Sequence, residues 1–187
     1  AAGHQFYVKP QTDAQHAYNE IAASRVYQSV GVVMGREIPY TAMMESNGTY
    51  YVVSQKLPDL EQKDKSWWES ADGKKARLKA RDWWDVDVLT SHWDVVGLSY
   101  DNILLTKNGT PVRIEFGGAM GYRAQGGVKA DWTPTGAWDE VWTMRGQDYG
   151  GYSGKSINPT ADTVFGSITN AGAAKKLKEL ADAWDAK

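Results

Sequence analysis

Two Asn-Gly dipeptides, Asn47-Gly48 and Asn108-Gly109, each fall between runs rich in β-branched and aromatic residues. Asparagine and glycine tolerate positive φ at consecutive positions, which the tightest antiparallel hairpin turns demand. Residues 37–44 and 49–54 are therefore expected to pair as one hairpin, and 103–106 with 111–116 as a second. Gln5-Phe-Tyr-Val-Lys9 reads as a further short strand, ended by Pro10, which has no ladder donor. A helix is expected over 14–30, opened by Thr12 or Asp13 and closed by Gly31. Tyr18, Ile21, Ala22, Arg25 and Val26 recur along it at helical spacing, while Glu20 shares another stripe with Ala17, Ala23, Ser24 and Tyr27. A buried helix over 76–93 follows from Leu78, Trp83, Val86, Leu89 and Trp93, and others near 138–144, 160–168 and 171–184, with Asn158 and Asn170 starting the last two. Local hairpins mixed with helices predict an α+β chain, in which residues 57–60 cross from a small sheet to a mainly helical part.

A chain of 187 residues can build one sizeable core, or two small lobes around a cleft. Its net charge of −2 gives no basic excess for a polyanion, so nucleic acid is not the expected partner. Lys74, Lys75, Arg77, Lys79 and Arg81 read as a solvated helix face. The absence of cysteine excludes disulfides and thiol catalysis. No apolar run approaches the roughly 18 residues of a membrane span, and the first residues lack the pattern of a secretion signal, so a cytoplasmic location is expected. Nine tryptophans, some paired as in Trp67-Trp68 and Trp83-Trp84, are read mainly as packing residues, with sugar- or base-stacking platforms as the other use of such rings.

The chemistry concentrates between His92 and Gly118. Asp94 is a candidate to accept the proton of an attacking hydroxyl, and Asn102 and Glu115 offer the hard oxygen donors that magnesium prefers. Upstream, Lys9 on a strand can meet phosphate oxygens while Glu20 on the next helix holds it in place. Each residue also has a plain structural reading. Lys9 and Glu20 would be surface charges, Asp94 a cap and Asn102 a turn residue, with Glu115 paired to Arg113 or Lys107 across the hairpin. His92 is read as a structural histidine capping the preceding helix, with ordering the loop or approaching phosphate as its other use, and Asp101 as a second candidate metal or base residue.

Tyr7-Val-Lys9, Asn19-Glu20-Ile-Ala-Ala, Tyr51-Val-Val-Ser-Gln-Lys-Leu57, His92-Trp-Asp94 with Asp101-Asn102-Ile-Leu, and Ile114-Glu-Phe-Gly117 together resemble the atypical protein-kinase-like superfamily. The HipA-like and phosphatidylinositol-kinase-like branches are the most similar, and Arg123-Ala-Gln-Gly126 with Lys129 also resembles kinase-like domains of phage and bacterial proteins. The resemblance implies a single domain with a reduced bilobal protein-kinase-like fold, a small antiparallel-sheet lobe over 1–57 and a mainly helical lobe over 58–187. It implies ATP and Mg2+ as cofactors, Lys9 and Glu20 as nucleotide-binding residues, Asp94 as the catalytic residue, and Asn102 and Glu115 as metal ligands. The implied reaction is phosphoryl transfer to a protein hydroxyl, with nucleotidyl transfer as a variant.

Three features depart from common kinases. Asp94 and Asn102 stand eight positions apart, Glu115 replaces the usual aspartate, and only nine positions reach Lys9, leaving little room for a glycine-rich cover. They motivate an alternative expectation, a pseudokinase-like, phage-encoded protein that binds a host protein in the host cytoplasm or travels in the virion.

Overall fold

The computed structural model describes residues 5–11, 13–34, 38–130, 132–134, 139–147 and 157–185. Thr12, Glu37, the expected helix start at Trp138 and the Gly150-Gly151 link lie outside them. The chain is α+β, with a small antiparallel sheet and several helices. Strand β1 (Phe6–Pro10) leads into helix α1 (Ala14–Met34), and the chain returns as the hairpin β2 (Thr41–Ser46) and β3 (Thr49–Gln55). The sheet order is β1-β3-β2, all antiparallel, with Lys9 opposite Val52. Asn47 and Gly48 make the turn at φ +51° and +74°, as their identities predict.

Helix α1 lies against this sheet through a stripe of small and polar residues. Ala17, Glu20, Ala23, Ser24, Tyr27 and Val30 are buried, whereas Tyr18 is 53% exposed and Ala22 and Arg25 face solvent. Ala17, Ala23 and Ser24 keep part of the buried stripe small, which lets the helix backbone approach the strands, while Tyr27 and Val30 fill the core beside it. Asp13 caps the start, its carboxylate accepting from the His16 N–H at 2.7 Å. Gly31 does not close α1, which runs on to Met34.

The expected helix over 76–93 is several pieces. Helices α2 (Lys65–Glu69) and α3 (Ala71–Ala80) meet at Gly73, where a Cβ would come within 2.1 Å of the Trp67 carbonyl oxygen. A 3-10 turn over Arg81–Trp83 then leads to α4 (Trp84–Leu89). Leu78 is 58% exposed, and the basic face is split. Lys74, Lys75 and Lys79 are solvated, while Arg77 and Arg81 donate to the carbonyls of Thr163 and Val164.

Strands β4 (Ile103–Leu105) and β5 (Pro111–Arg113) form the second hairpin, with Ile103 opposite Arg113. Helices α5 (Glu140–Thr143), α6 (Pro159–Phe165) and α7 (Asn170–Asp185) complete the helical part. Asn158 caps α6 as expected, accepting from the N–H groups of Thr160 and Ala161. At α7 the capping oxygen is Thr169 Oγ1, and Asn170 instead accepts from Arg145.

Adjacent tryptophans serve two cores. Trp84 packs with Trp68, Val88, Ile103 and Phe165, while Trp83 joins Tyr27, Val86 and Phe116 beneath α1. Between them runs a buried ion pair, Arg113 Nη2 to Asp87 Oδ2 at 2.6 Å, with both side chains fully enclosed. Among the described residues, no helix is long and apolar enough to cross a membrane.

Removing one partner of such a pair strands a buried charge, at a cost of about 3–5 kcal/mol. Arg113→Met should therefore lower unfolding stability by that amount in denaturant titrations, and the double variant with Asp87→Leu should recover part of the loss. A midpoint unmoved by Arg113→Met would show that the pair does not hold the hairpin to α4.

Candidate functional site

A cleft of about 510 Å3 opens between the three-stranded sheet and the second hairpin, lined by Val8, Lys9, Thr41, Val52, Leu104 and Glu115 among others. Its size falls within the range of small-molecule sites, and its walls combine apolar side chains with a few charges. Lys9 reaches in from β1, and its Nζ lies 3.1 Å from Glu20 Oε2 and 4.0 Å from Glu115 Oε2. Lys9 and Glu20 are thus not separate surface charges. Glu20 is 2% exposed and also accepts from Gln11 Nε2 at 2.5 Å, so both an ammonium and an amide offset its desolvation.

Beyond α4 the chain turns repeatedly. The Val95 N–H donates to the His92 carbonyl, Gly97 to Asp94, and Tyr100 to Gly97. Gly97 adopts φ +76° with the Asp101 carboxylate 2.0 Å and the Asn102 nitrogen 3.0 Å from where a Cβ would stand, so a side chain at 97 would be strained and would displace Asp101. This winding absorbs the eight-position spacing. Asn102 Nδ2 returns to donate to the Asp94 carbonyl at 2.8 Å and to Asp94 Oδ2 at 3.2 Å. Burial, aided by the neighbouring Asp101 charge, raises the Asp94 pKa to about 6. The Asn102 hydrogen bond and Lys129 oppose that rise, and Glu115 adds to it. A carboxylate poised there is ionised at neutral pH yet basic enough to take a proton.

His92 has a structural place. It is fully buried, its Nδ1 lies 3.2 Å from the Tyr27 hydroxyl, and burial with the charges of Lys129 and Arg113 lowers its pKa to about 3. A neutral ring at that depth orders the loop and does not meet phosphate.

Past β5, the Ile114 N–H donates to the Asn102 carbonyl at 3.1 Å, which brings Glu115 beside the Asn102 loop. Glu115 takes φ +58° and turns the chain out of the hairpin. It pairs with neither Arg113, which is held by Asp87, nor Lys107, which lies 2.7 Å from Asp59. Phe116 is buried against the Tyr27 ring at 4.8 Å. The next residues pass directly along α1, where His16 Nε2 lies 3.2 Å from the Gly117 carbonyl oxygen and Asn19 Nδ2 donates to that of Ala119 at 2.9 Å. The His16 ring also stacks on Tyr122 at 4.9 Å. His16 and Asn19 were not singled out from sequence, nor was Gln11. The available signal was the i, i+3, i+4 spacing of His16, Asn19 and Glu20 along one helix face.

Four of the five expected site residues divide between two cavities, and Asn102 lines neither. Lys9, Glu20 and Glu115 line the cleft together with Asp101. Asp94 lines a second pocket, and the buried Asn102 joins it to the hairpin. Asn102 and Glu115 carry oxygen donors of the kind that magnesium prefers. Asn102 commits its amide nitrogen to Asp94, leaving the amide oxygen as its ligand atom, and Glu115 presents a carboxylate that is 56% exposed. Among the described residues, no group of three or more His, Cys, Asp or Glu could hold a metal. Magnesium at phosphate sites uses one or two protein carboxylates and draws its remaining ligands from phosphate and water.

The raised Asp94 pKa has a consequence independent of activity. Because the folded value lies above the ordinary one, ionising Asp94 costs stability, a loss absent below about pH 4 and complete above about pH 6. Asp94→Asn should then be more stable than the parent protein by about 1–2 kcal/mol at pH 8, with the difference fading at pH 4 in paired denaturation curves. A pH-independent difference would refute a strained carboxylate. In comparisons with known proteins, no family model, curated protein or solved structure matches this chain.

Proposed function

We propose that this chain is a small atypical kinase that transfers the γ-phosphoryl group of Mg-ATP to a protein hydroxyl. In this reading the three-stranded sheet with α1 is a reduced nucleotide-binding lobe, and the loop and hairpin belong to a mainly helical second lobe. The observation that carries it is the meeting of Lys9, Glu20 and Glu115 in one cleft, with the Asn102-bonded Asp94 directly beyond.

Lys9, fixed by Glu20, contacts triphosphate oxygens and holds the chain of phosphates along the cleft. Bound magnesium would neutralise charge on the phosphates, and Asn102 and Glu115 are the residues that would hold it. Asp94 orients the acceptor hydroxyl and takes its proton. The hydroxyl oxygen forms a bond to the γ-phosphorus, the bond from that phosphorus to the bridging oxygen breaks, and ADP leaves with the electron pair. Positioning and electrostatics supply most of the rate in such a reaction, so the Asn102 clamp on Asp94 contributes by fixing the base.

Glu115 favours a second reading. One methylene longer than aspartate, its carboxylate is held near Lys9 but more than half exposed, a weaker arrangement for strict octahedral coordination. A protein that binds nucleotide without efficient transfer, and acts by engaging a host protein, is consistent with that side chain.

Calorimetric titration with Mg-ATP followed by assays with γ- and α-labelled ATP separates these readings. Kinase action requires γ-label transfer, reduced about 10²–10⁴-fold in Asp94→Ala while nucleotide affinity is retained. The rate should fall as pH drops through about 6, where Asp94 becomes protonated and can no longer accept a proton. Transfer of the α-label would indicate nucleotidylation, binding without transfer would favour the second reading, and failure to bind Mg-ATP would end both.

A further inference from the structure

The pocket into which Asp94 opens has a volume of about 480 Å3, and its lining includes Trp93, Leu98, Arg123, Gln125 and Lys129. Its far wall is a tight turn. The Arg123 carbonyl accepts from the Gly126 N–H at 2.9 Å, the Arg123 N–H donates to the Gly127 carbonyl at 2.6 Å, and Gly126 takes φ +85°. This turn is fastened to the catalytic loop. Lys129 Nζ donates to the Ser91 carbonyl at 2.6 Å and to that of Gly118 at 3.0 Å, bracing the segment from both sides. A Cβ at Gly118 would meet Ala124 N at 3.3 Å and Asp94 Cβ at 3.4 Å, so the Arg123-Ala124 backbone lies alongside Asp94.

Among the described residues, the Arg123 guanidinium has no hydrogen-bond or ion-pair partner, although it lines this pocket. Lys129 adds a second positive charge, and among the described lining residues Asp94 is the one carboxylate. Trp93 and the 65% exposed Leu98 supply apolar surface. A guanidinium on a braced turn, lining the same pocket as the Asp94 carboxylate and an apolar wall, is suited to hold a carboxylate while a neighbouring hydroxyl meets the base.

We propose that this pocket is the acceptor site, and that its ligand is a serine or threonine flanked by an acidic residue whose carboxylate docks on Arg123. The assignment rests on the kinase reading for the transfer step, but docking itself does not require transfer. The reacting hydroxyl lies at Asp94 and gives up its proton there. The acidic neighbour stays unmodified and fixes the direction in which the segment crosses the pocket.

Two measurements keep the two ideas apart. Short peptides carrying one serine flanked by aspartate, or by asparagine, are titrated against the intact chain by calorimetry, and Mg-ATP is titrated separately as a check on folding and on the cleft. The aspartate peptide should bind at least about tenfold more tightly than its asparagine counterpart, the scale of a charged hydrogen bond. Arg123→Glu should abolish that preference or invert it toward a lysine-flanked peptide, Arg123→Lys should keep part of it, and Mg-ATP binding should be unchanged in both. Equal binding of the aspartate and asparagine peptides, binding of neither, or a preference that survives Arg123→Glu would each overturn the acceptor assignment. Where transfer occurs, the substitution should raise KM for the acidic peptide more than it lowers kcat. Peptide docking lost in Arg123→Glu without any γ-label transfer would uphold the pocket and reject the kinase reading.

Discussion

One buried carboxylate, that of Asp87, ties together three of the segments that carry the candidate site residues. It accepts from Arg113 Nε at 3.2 Å, from Arg113 Nη2 at 2.6 Å and from the Tyr27 hydroxyl at 2.7 Å. Arg113 stands two residues before Glu115, Tyr27 lies on the helix that carries Glu20, and Asp87 belongs to the helix that feeds the Asp94 loop. Three segments remote in sequence are thereby fixed through a single group. A buried ion pair is a poor source of net stability, since desolvation offsets much of the attraction. It is a strong source of geometry, because any displacement leaves a charge without its partners. Arg113 Nη2 also donates to the Ala80 carbonyl, although Nη1 is buried without a hydrogen-bond partner among the described residues, and burial raises the Tyr27 pKa well above its ordinary value, keeping the phenol protonated as a donor.

Strain gathers around the same centre. Ser91, Tyr100, Glu115 and Met120 all take left-handed backbone conformations, which cost a non-glycine residue about 1 kcal/mol or more. Each marks a change of direction between α4, the loop, the hairpin and the segment that follows it. The surrounding packing holds them, with Val95, Val96, Ile103 and Phe116 buried between the turns. The loop is therefore ordered by tertiary contacts more than by local preference, as a positioned base requires.

Local chemistry made the hairpins legible, since Asn47-Gly48 and Asn108-Gly109 need no distant contact to favour their turns. Lys9 and Glu20 were also readable, because a strand lysine followed by a helix glutamate on a small-residue stripe places the two side chains on facing surfaces. Other features depended on what folds against them. Glycine ends a helix only when the chain is free to leave it, and the buried Gly31 lies within α1, which continues past it. The stretch over 76–93 has helical periodicity throughout, yet packing divides it at Arg81–Trp83 so that Trp83 and Trp84 can enter different cores. The partner of Arg113 was invisible to local reading. Its neighbours across the hairpin suggested Glu115, whereas the true counter-ion lies on α4, where Asp87 appears in sequence as one acid among several.

The two cavities differ in sign, and that difference sorts their ligands. In the cleft, the Lys9 ammonium faces the carboxylates of Glu20, Asp101 and Glu115. A bare triphosphate would be repelled there, so under the proposed function a divalent cation must supply affinity as well as help at the reacting phosphate. In the neighbouring pocket, Arg123 and Lys129 outweigh Asp94 among the described residues, and under the proposed acceptor assignment they would draw in an acidic segment without a metal. Asp94 stands where the two fields meet. Burial does most to raise its pKa; Asp101 and Glu115 on the cleft side add to the rise, while the Asn102 hydrogen bond and Lys129 on the pocket side oppose it. Metal entering the cleft would cancel part of the carboxylate field and ease Asp94 toward its ionised form, making the base ready when the nucleotide is in place.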